Sequence, residues 1–157
     1  MYCYKPIGYV RTGLPDEAVK RGTVDGYVEV LPEYVSGLKG LEGFSHIMLI
    51  AHLHKTGEEE RKVLVVKPRR LVRYGIPEEE LPEVGVFASD SPHRPNPIGL
   101  TVVRLVEVRG NRLYVKDLDL FDGTPILDIK PYTRGRVYQA KFPEWYERLW
   151  WRIRREI

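Results

Sequence analysis

Short runs of apolar or alternating residues recur along the chain, and Gly or Pro separates most of them. The runs have strand length and are rich in Val, Ile, Leu and Tyr, which favours β-strands over helices. An RGN segment at 109–111 predicts a hairpin turn. Seven or eight strands within about 130 residues predict a mainly β fold, either a sandwich or a small barrel. The predicted strands are 7–11, 27–31, 46–53, 62–66, 84–88, 98–108, 112–118 and 125–129.

The end of the chain, PEWYERLWWRIRREI, follows a different pattern. Tyr146, Trp150, Ile153 and Ile157 recur at spacings of three or four, and Pro143 suits a first helical position. This predicts a basic amphipathic helix over 142–157, whose late cations complement the helix dipole. Segment 70–84 is predicted to be a long loop. The arginines predicted on the other helix faces are Arg148, Arg152, Arg154 and Arg155.

Composition and charge narrow the class of protein. At 157 residues and 43% hydrophobic, residues 1–157 are predicted to form one domain. The net charge of +3 does not demand a nucleic-acid partner, so the arrangement of charges matters more than their sum. Cys3 is the single cysteine, which excludes an internal disulfide. The start lacks a signal-peptide pattern and the longest apolar run, IMLIA, is too short for a bilayer, so a soluble cytoplasmic protein is expected.

The stretch SDSPHRPNPIGL, residues 89–100, combines three prolines with several polar side chains. Proline fixes φ and restricts the preceding residue, so His93, Arg94 and Asn96 stand on a stiff backbone. Gly99 allows a close backbone approach or an unusual φ before the next strand begins. Two interpretations are equally favoured: a rigid crossover whose polar groups satisfy loop carbonyls, and a binding loop.

A second polar stretch, DLDLFDGTPILDIKPY, covers residues 117–132. Its DGTP segment has turn chemistry, and the backbone N–H groups and the Thr124 hydroxyl are candidate ligand donors. On a strand, Asp117 and Asp119 would share one face, as a metal site or an acid–base pair requires. A turn with solvated carboxylates is the favoured alternative. Asp128 lies among apolar residues and is expected to pair with Lys130 or Arg94.

The remaining candidate motifs are weak. His52 and His54 would share a strand face with spacing that suits a metal, but no Cys or HExxH pattern accompanies them, so no metal site is predicted. The GxSxG, GxGxxG and Walker-A patterns are absent. The basic runs KPRRLVR (67–73) and RIRRE (152–156), with Tyr74, Trp150 and Trp151, suggest a surface for RNA phosphates and bases. A solvated charged face is the default alternative.

Three segments together resemble the TsaA-like family, also called VirR or TrmO. VGVFASDSPHRPNPIGLTVVRL resembles the family signature GVFATRSPxRPNPIGLS, and LDLFDGTPILDIKPY resembles its block DGTPxLDIKPY. GLKGLEGFSHIMLIAHLHKT resembles its block GLExFSHxxxxxxFH. The blocks occur in the expected order between about Ile7 and Tyr132.

The resemblance implies a fold and an activity. Members are small β-barrels, usually homodimers, that bind S-adenosylmethionine without a Rossmann fold. The family activity is methylation of N6 of threonylcarbamoyladenosine beside the tRNA anticodon. We therefore expect a single β-barrel of about seven strands, with short helices and the C-terminal amphipathic helix. A non-catalytic sensor of S-adenosylmethionine or a related adenosine ligand is the alternative.

The family cofactor positions fall on particular residues here. Asp90 stands where the family has arginine and Lys55 where it has glutamine, and the glutamine of an early Pro-x-Gln element near 16–18 is missing. Because Asp90 would repel the methionine carboxylate, Lys55 or Lys20 is expected to supply the cation. The cofactor-binding residues implied by the resemblance are His54, Lys55, Asp90, Leu100, Asp122, Gly123, Thr124 and Pro125.

The substrate side is predicted less directly. Arg94, Asn96 and Lys130 are expected to organise the site or contact tRNA, and Tyr132 to stack or handle a proton. In this interpretation, phosphates of the anticodon stem-loop meet cations of the 67–73 run. No residue identifies itself as the general base. The cations concerned are Arg69, Arg70 and Arg73.

Overall fold

Six antiparallel strands close into a barrel in the order β1-β2-β7-β6-β3-β8. The structure is a computed structural model that describes residues 1–154. The mainly β fold is therefore confirmed, with six barrel strands rather than about seven. The barrel strands are β1 (Gly8–Arg11), β2 (Val24–Val30), β3 (His46–His52), β6 (Ile98–Arg109), β7 (Arg112–Leu118) and β8 (Pro125–Pro131).

The inward residues of these strands fill the barrel because strand side chains alternate between two faces. Val28 and Val30 of β2, like Ile47 and Leu49 of β3, are almost fully buried. The predicted turn joins β6 to β7, with Arg109 opposite Arg112 and Gly110 at φ 60°. The alternation that predicted the strands is therefore the same alternation that forms the core.

The alternation breaks at Asp117, which has φ 67°. Val115 is buried, and after this left-handed residue Leu118 is the next buried position. The strand ends at Leu118, so Asp119 lies outside it. The predicted strand-face pair of Asp117 and Asp119 is therefore wrong.

The chain divides into two compact units. Unit 1 comprises Met1–Lys55 and Pro97–Arg136 and contains the barrel with helix α1 (Asp16–Arg21). Unit 2 comprises Thr56–Asn96 and Val137–Ile157 and contains β4 (Val65–Val66), β5 (Val84–Gly85) and helix α2 (Glu144–Arg154). The single domain over 1–157 stays a prediction.

Unit 2 is mostly irregular. The predicted strands 62–66 and 84–88 shrink to the two-residue pair β4–β5, flanked by the 3₁₀ turns Glu60–Lys62 and Val86–Ala88. No third strand joins β4–β5 within the described residues, and Leu64 and Val65 remain exposed. The predicted loop 70–84 contains two 3₁₀ turns, Arg69–Tyr74 and Glu78–Glu80.

Helix α2 buries a different stripe from the one predicted. Trp145, Leu149 and Ile153 pack with Ile76, Leu81 and Leu71 of unit 2. Tyr146 and Trp150 remain exposed, so their predicted place on the buried face is wrong, whereas that of Ile153 is confirmed. Arg155 and Ile157 lie outside the described residues, as does the side chain of Arg154.

Within the described range, none of the helices has the length and apolar character needed to cross a bilayer.

Candidate cofactor site

The DGTP turn, Asp122–Pro125, precedes β8 and is pinned to the neighbouring β1. Gly123 has φ +80°, a conformation that favours glycine. Its N–H donates to the Val10 carbonyl at 2.8 Å, and the buried Thr124 hydroxyl donates to the Phe121 carbonyl at 2.6 Å. The Thr124 N–H also donates to Phe121 at 3.1 Å. The backbone N–H groups and the Thr124 hydroxyl were expected to donate to a ligand. In the structure they donate to backbone carbonyls and stabilise the turn.

Asp122 ties the turn to the segment after β1. Its Oδ1 accepts the backbone N–H groups of Thr12 at 2.8 Å and Gly13 at 3.3 Å. The residue is exposed. Asp122 can therefore fix the loop with one oxygen and present the other to a ligand hydroxyl or amine.

Two lysines converge on the Phe121 ring beside this turn. The Lys55 ammonium lies 5.3 Å from the ring centroid and that of Lys20 lies 6.0 Å away. Lys55 also forms an ion pair with Asp16 of α1, and Lys20 pairs with Glu17 at 3.4 Å. Cations within about 6 Å of a ring face are attracted by its quadrupole. The ring and the two cations form what we call the lysine–phenylalanine cluster.

His54 lies in the turn after β3, not on the strand, so the predicted shared strand face with His52 is wrong. Partial burial lowers the pKa of His54 below its usual 6.5, and the neighbouring Lys55 and His52 lower it further. Asp16 opposes the shift. His54 is therefore a neutral imidazole at neutral pH. Among residues 1–154, no group of three His, Cys, Asp or Glu side chains is placed to hold a metal ion.

Leu100 lies near the start of β6, opposite Ile50 of β3, with 63% of its surface exposed. β6 begins where β3 ends, so Leu100 belongs to the same barrel end as Lys55. A Cβ at Gly99 would meet the side chain of Leu53, with Cδ2 at 2.9 Å. The Leu53 N–H also donates to the Pro97 carbonyl at 2.7 Å.

The proline-rich loop up to Asn96 lies in unit 2 and is stiffened by its own polar groups. Arg94 Nη1 donates to the carbonyls of Ser89 and Ser91, each at 3.0 Å. Arg61 Nε donates to the Pro95 carbonyl at 3.0 Å. Arg94 therefore organises the loop. Asp90 and Asn96 are exposed, as are Arg69 and Arg70 of the Arg69–Tyr74 turn.

Lys130 and Tyr132 lie at the opposite end of β8 from the DGTP turn. β8 runs from Pro125 to Pro131, which separates the two ends by roughly 20 Å. Tyr132 forms an edge contact with His46, with ring centroids 6.2 Å apart. The structure thus gathers the cofactor positions of unit 1 at one barrel end and leaves these two substrate candidates at the other.

Asp128 is exposed rather than buried, because it points outward from β8. Its Oδ2 lies 3.5 Å from Lys130 Nζ, which confirms the first of its two expected partners. Asp128 also lines a cleft of about 580 Å³ with Tyr34 and Phe44. That cleft is at the Tyr132 end of the barrel and contains none of the predicted cofactor residues. We therefore place the candidate cofactor site at the DGTP turn.

Phe121 and the Asp16–Lys55 pair were missed by sequence reasoning. Phe121 directly precedes DGTP, so its place in the motif was the available signal. The pairing of Asp16 with Lys55 joins residues 39 positions apart. Only the folded barrel end brings them together.

The fold and the site together define the class of the protein. It is a closed six-stranded antiparallel barrel with a charged site beside one turn. A family model described as tRNA-methyltransferase O N-terminal domain matches residues 9–136. The chain belongs to this TrmO family, which confirms the resemblance found in its motifs.

Relatives and solved structures agree with this assignment. A probable S-adenosyl-L-methionine-binding protein of Pyrococcus abyssi is 46% identical over 138 residues, covering 84% of this chain and 68% of that protein. The mouse tRNA (adenine(37)-N6)-methyltransferase is 44% identical over 101 residues, covering 64% of this chain and 21% of the mouse protein. A TrmO crystal structure superposes with a TM-score of 0.67 at 34% identity, covering 90% of this chain and 63% of that chain. The chain thus spans only part of the length of each of these relatives.

Proposed function

We propose that the protein is an S-adenosylmethionine-dependent tRNA methyltransferase that acts on N6 of threonylcarbamoyladenosine beside the anticodon. The observation that carries this proposal is the lysine–phenylalanine cluster next to Asp122, in the segments that bear the family motifs. The name of the mouse relative supports a tRNA substrate, and that of the Pyrococcus relative supports the cofactor.

The residues of the cluster match the chemistry of the cofactor. Lys55 and Lys20 would hold the methionine carboxylate, the Asp122 Oδ2 would accept a hydrogen bond, and the outward Leu100 would cover an apolar part. The bound cofactor supplies an activated sulfonium methyl group, and its transfer to N6 breaks the S–C bond, forms an N–C bond and releases the N6 proton. The chain's own part is alignment, because in-line transfer depends on the approach of donor and acceptor.

Other predicted contacts belong to the tRNA. Arg69 and Arg70 are exposed and suit phosphate oxygens. Arg94 is expected to act by holding the proline-rich loop and Asn96 by direct contact. Lys130 and Tyr132 remain candidates for the same substrate at the far end of β8.

A homodimer is part of the proposal. Besides Leu100, β6 presents two exposed apolar side chains, Ile98 and Val102, which a second copy would cover. Sedimentation equilibrium is expected to give twice the mass of one 18.3 kDa chain. A cytoplasmic location fits a tRNA-modifying enzyme.

The decisive assay uses protein, methyl-labelled S-adenosylmethionine and total tRNA, followed by nucleoside analysis. Label on threonylcarbamoyladenosine is the expected result, and tRNA lacking that modification is the matched negative control. Tight cofactor binding without transfer to any RNA would instead establish the sensor alternative.

Asp90→Arg tests the departure from the family pattern. Restoring the family cation is expected to raise cofactor affinity by about tenfold, the effect of one charge-assisted hydrogen bond. Titration calorimetry measures this directly, with Asp25→Arg as a control for the added charge. Equal affinity in wild type and Asp90→Arg would show that Asp90 does not face the ligand.

A further inference from the structure

Helix α2 and Phe142, two residues before it, carry three exposed aromatic rings in a row, which we call the aromatic ladder. The ring centroids of Phe142 and Tyr146 are 5.3 Å apart, and those of Tyr146 and Trp150 are 6.5 Å apart with planes only 6° from parallel. The three residues are 52%, 40% and 44% exposed. The ladder lies beside the buried stripe of α2, so helix packing within unit 2 does not use it.

The small core of unit 2 joins the α2 segment to a distant basic segment. Leu71 of the Arg69–Tyr74 turn packs on the same cluster as Leu149 and Ile153. The turn carries Arg69, Arg70 and Arg73, and the Arg73 guanidinium stacks 4.8 Å from the Tyr74 ring centroid. Cations and rings that are far apart in sequence thus belong to one packed unit.

Three arginines of this unit pair with carboxylates at the surface. Arg69 pairs with Glu78 at 2.8 Å and Arg148 with Glu144 at 2.5 Å, and all four side chains are more than half exposed. Arg152 pairs with Glu80. Exposed pairs contribute about 0–1 kcal/mol. A phosphate, which arginine binds in the same forked geometry, can therefore replace the carboxylates.

We propose that the aromatic ladder binds unpaired RNA bases by stacking while arginines of unit 2 hold the adjoining phosphates. Every base presents a π face, and single-stranded RNA is commonly bound by aromatic side chains bordered by cations. The bordering charges favour RNA over an apolar protein surface as the occupant. The inference rests on the proposed function in one respect: tRNA, with its unpaired anticodon loop, is the RNA expected to occupy the ladder.

Trp150 provides a direct test through its fluorescence. In a chain carrying Trp145→Phe and Trp151→Phe, Trp150 is the sole tryptophan. Titration with a single-stranded heptaribonucleotide of anticodon-loop sequence is expected to quench its emission. An abasic phosphodiester of equal length is expected to leave the emission nearly unchanged, because it offers charge without a ring. Equal quenching by both would overturn the proposal.

A second measurement does not depend on the double substitution. The anisotropy of the labelled heptaribonucleotide gives its affinity for the full chain and for Trp150→Leu. Loss of one stacked base predicts affinity weaker by about fivefold or more. Trp151→Leu is the matched control, since Trp151 is also exposed but lies about 100° around the helix, and a change within about twofold is expected. Equal losses in the two variants would overturn the inference.

The outcomes separate this inference from the proposed function. Binding of the oligonucleotide needs neither cofactor nor turnover. Trp150 quenching without methyl transfer would therefore support RNA binding by the ladder and contradict the proposed enzyme activity. If Trp150→Leu changed neither kcat nor the KM for tRNA, the result would support the enzyme activity and contradict RNA binding by the ladder. Quenching of Trp150 by rising protein concentration alone would identify a second copy as the occupant and overturn the RNA assignment.

Discussion

At the scale of single residues, Lys55 sets the electrostatics of the candidate site. It contacts the Phe121 ring, pairs with Asp16 and lies close enough to His54 to disfavour its protonation. One side chain therefore links α1, the turn after β3 and the segment before β8. Its effect on its neighbours can be measured without any ligand.

The pKa of His54 is the first prediction. Burial lowers it below 6.5, and Lys55 and His52 add to the shift. Because the folded protein disfavours the imidazolium, the protein is expected to lose stability as pH falls through about 6.5 and below. Lys55→Gln is expected to raise the titration midpoint of His54, since it removes a neighbouring cation and releases Asp16 from its ion pair. An NMR titration of the His54 ring measures this midpoint, and Lys39→Gln is the control.

Asp16→Asn extends that test with the opposite sign. Asp16 favours the imidazolium, so its neutralisation is expected to lower the midpoint of His54 further. Midpoints that move in the same direction in Lys55→Gln and Asp16→Asn would contradict this account of the site.

Two glycines of the barrel give a second prediction at this scale. A Cβ at Gly26 would lie 2.7 Å from the Arg11 carbonyl oxygen, whereas one at Gly99 would meet the flexible end of Leu53. Backbone yields less than a side-chain methyl group. Gly26→Ala is expected to cost about 2–3 kcal/mol of unfolding free energy and Gly99→Ala about 1 kcal/mol or less. Urea unfolding compares them, and the reverse ranking would contradict the barrel packing.

At the scale of elements, the buried face of α2 can be tested by paired substitutions. Leu149 is 6% exposed within the small core of unit 2, whereas Tyr146 lies on the aromatic ladder. Leu149→Ala is expected to cost about 2–3 kcal/mol and to speed amide exchange throughout α2. Tyr146→Ala is expected to change exchange little. Similar amide exchange in the two variants would contradict the buried face described here and favour the face predicted from the sequence, which contains Tyr146.

The bounds of the longer barrel strands could be predicted from the sequence almost to the residue. β7 coincides with its predicted range of 112–118, and β6 extends one residue beyond 98–108. The predicted strands 62–66 and 84–88 were too long, because an apolar composition alone does not provide a third strand with which they could pair. α1 was missed because six residues with one buried side chain, Val19, carry no readable period.

The face of α2 was misjudged for a related reason. Tyr146 and Trp150 count as hydrophobic in a pattern, yet their amphipathic rings also suit an exposed face. The candidate site could likewise be predicted only in part. Motifs identified Asp122 and Lys55, but the contacts that join them to Phe121 and Asp16 arise from tertiary folding.

At the scale of the whole molecule, the two units are connected by three crossings of the chain. The backbone passes between them at Lys55–Thr56, Asn96–Pro97 and Arg136–Val137. The core cluster of unit 1 contains twelve buried residues, whereas that of unit 2 contains four. A core of four side chains cannot offset the ordering cost of some sixty residues by itself. We therefore expect unit 2 to gain its order only as part of the whole chain, as the predicted single domain over 1–157 requires.

Cooperative unfolding is the corresponding prediction. Leu113→Ala in the barrel and Leu149→Ala in unit 2 are each expected to move one common transition to lower urea, since a single two-state unit is destabilised by a cavity anywhere in it. The NMR amide signals of the barrel strands follow unit 1, and fluorescence follows Trp145, Trp150 and Trp151, which are all in α2. In wild type the two transitions are expected to coincide. If Leu149→Ala shifted the fluorescence transition and left the transition of the barrel amides in place, the units would unfold separately and the single domain would be wrong.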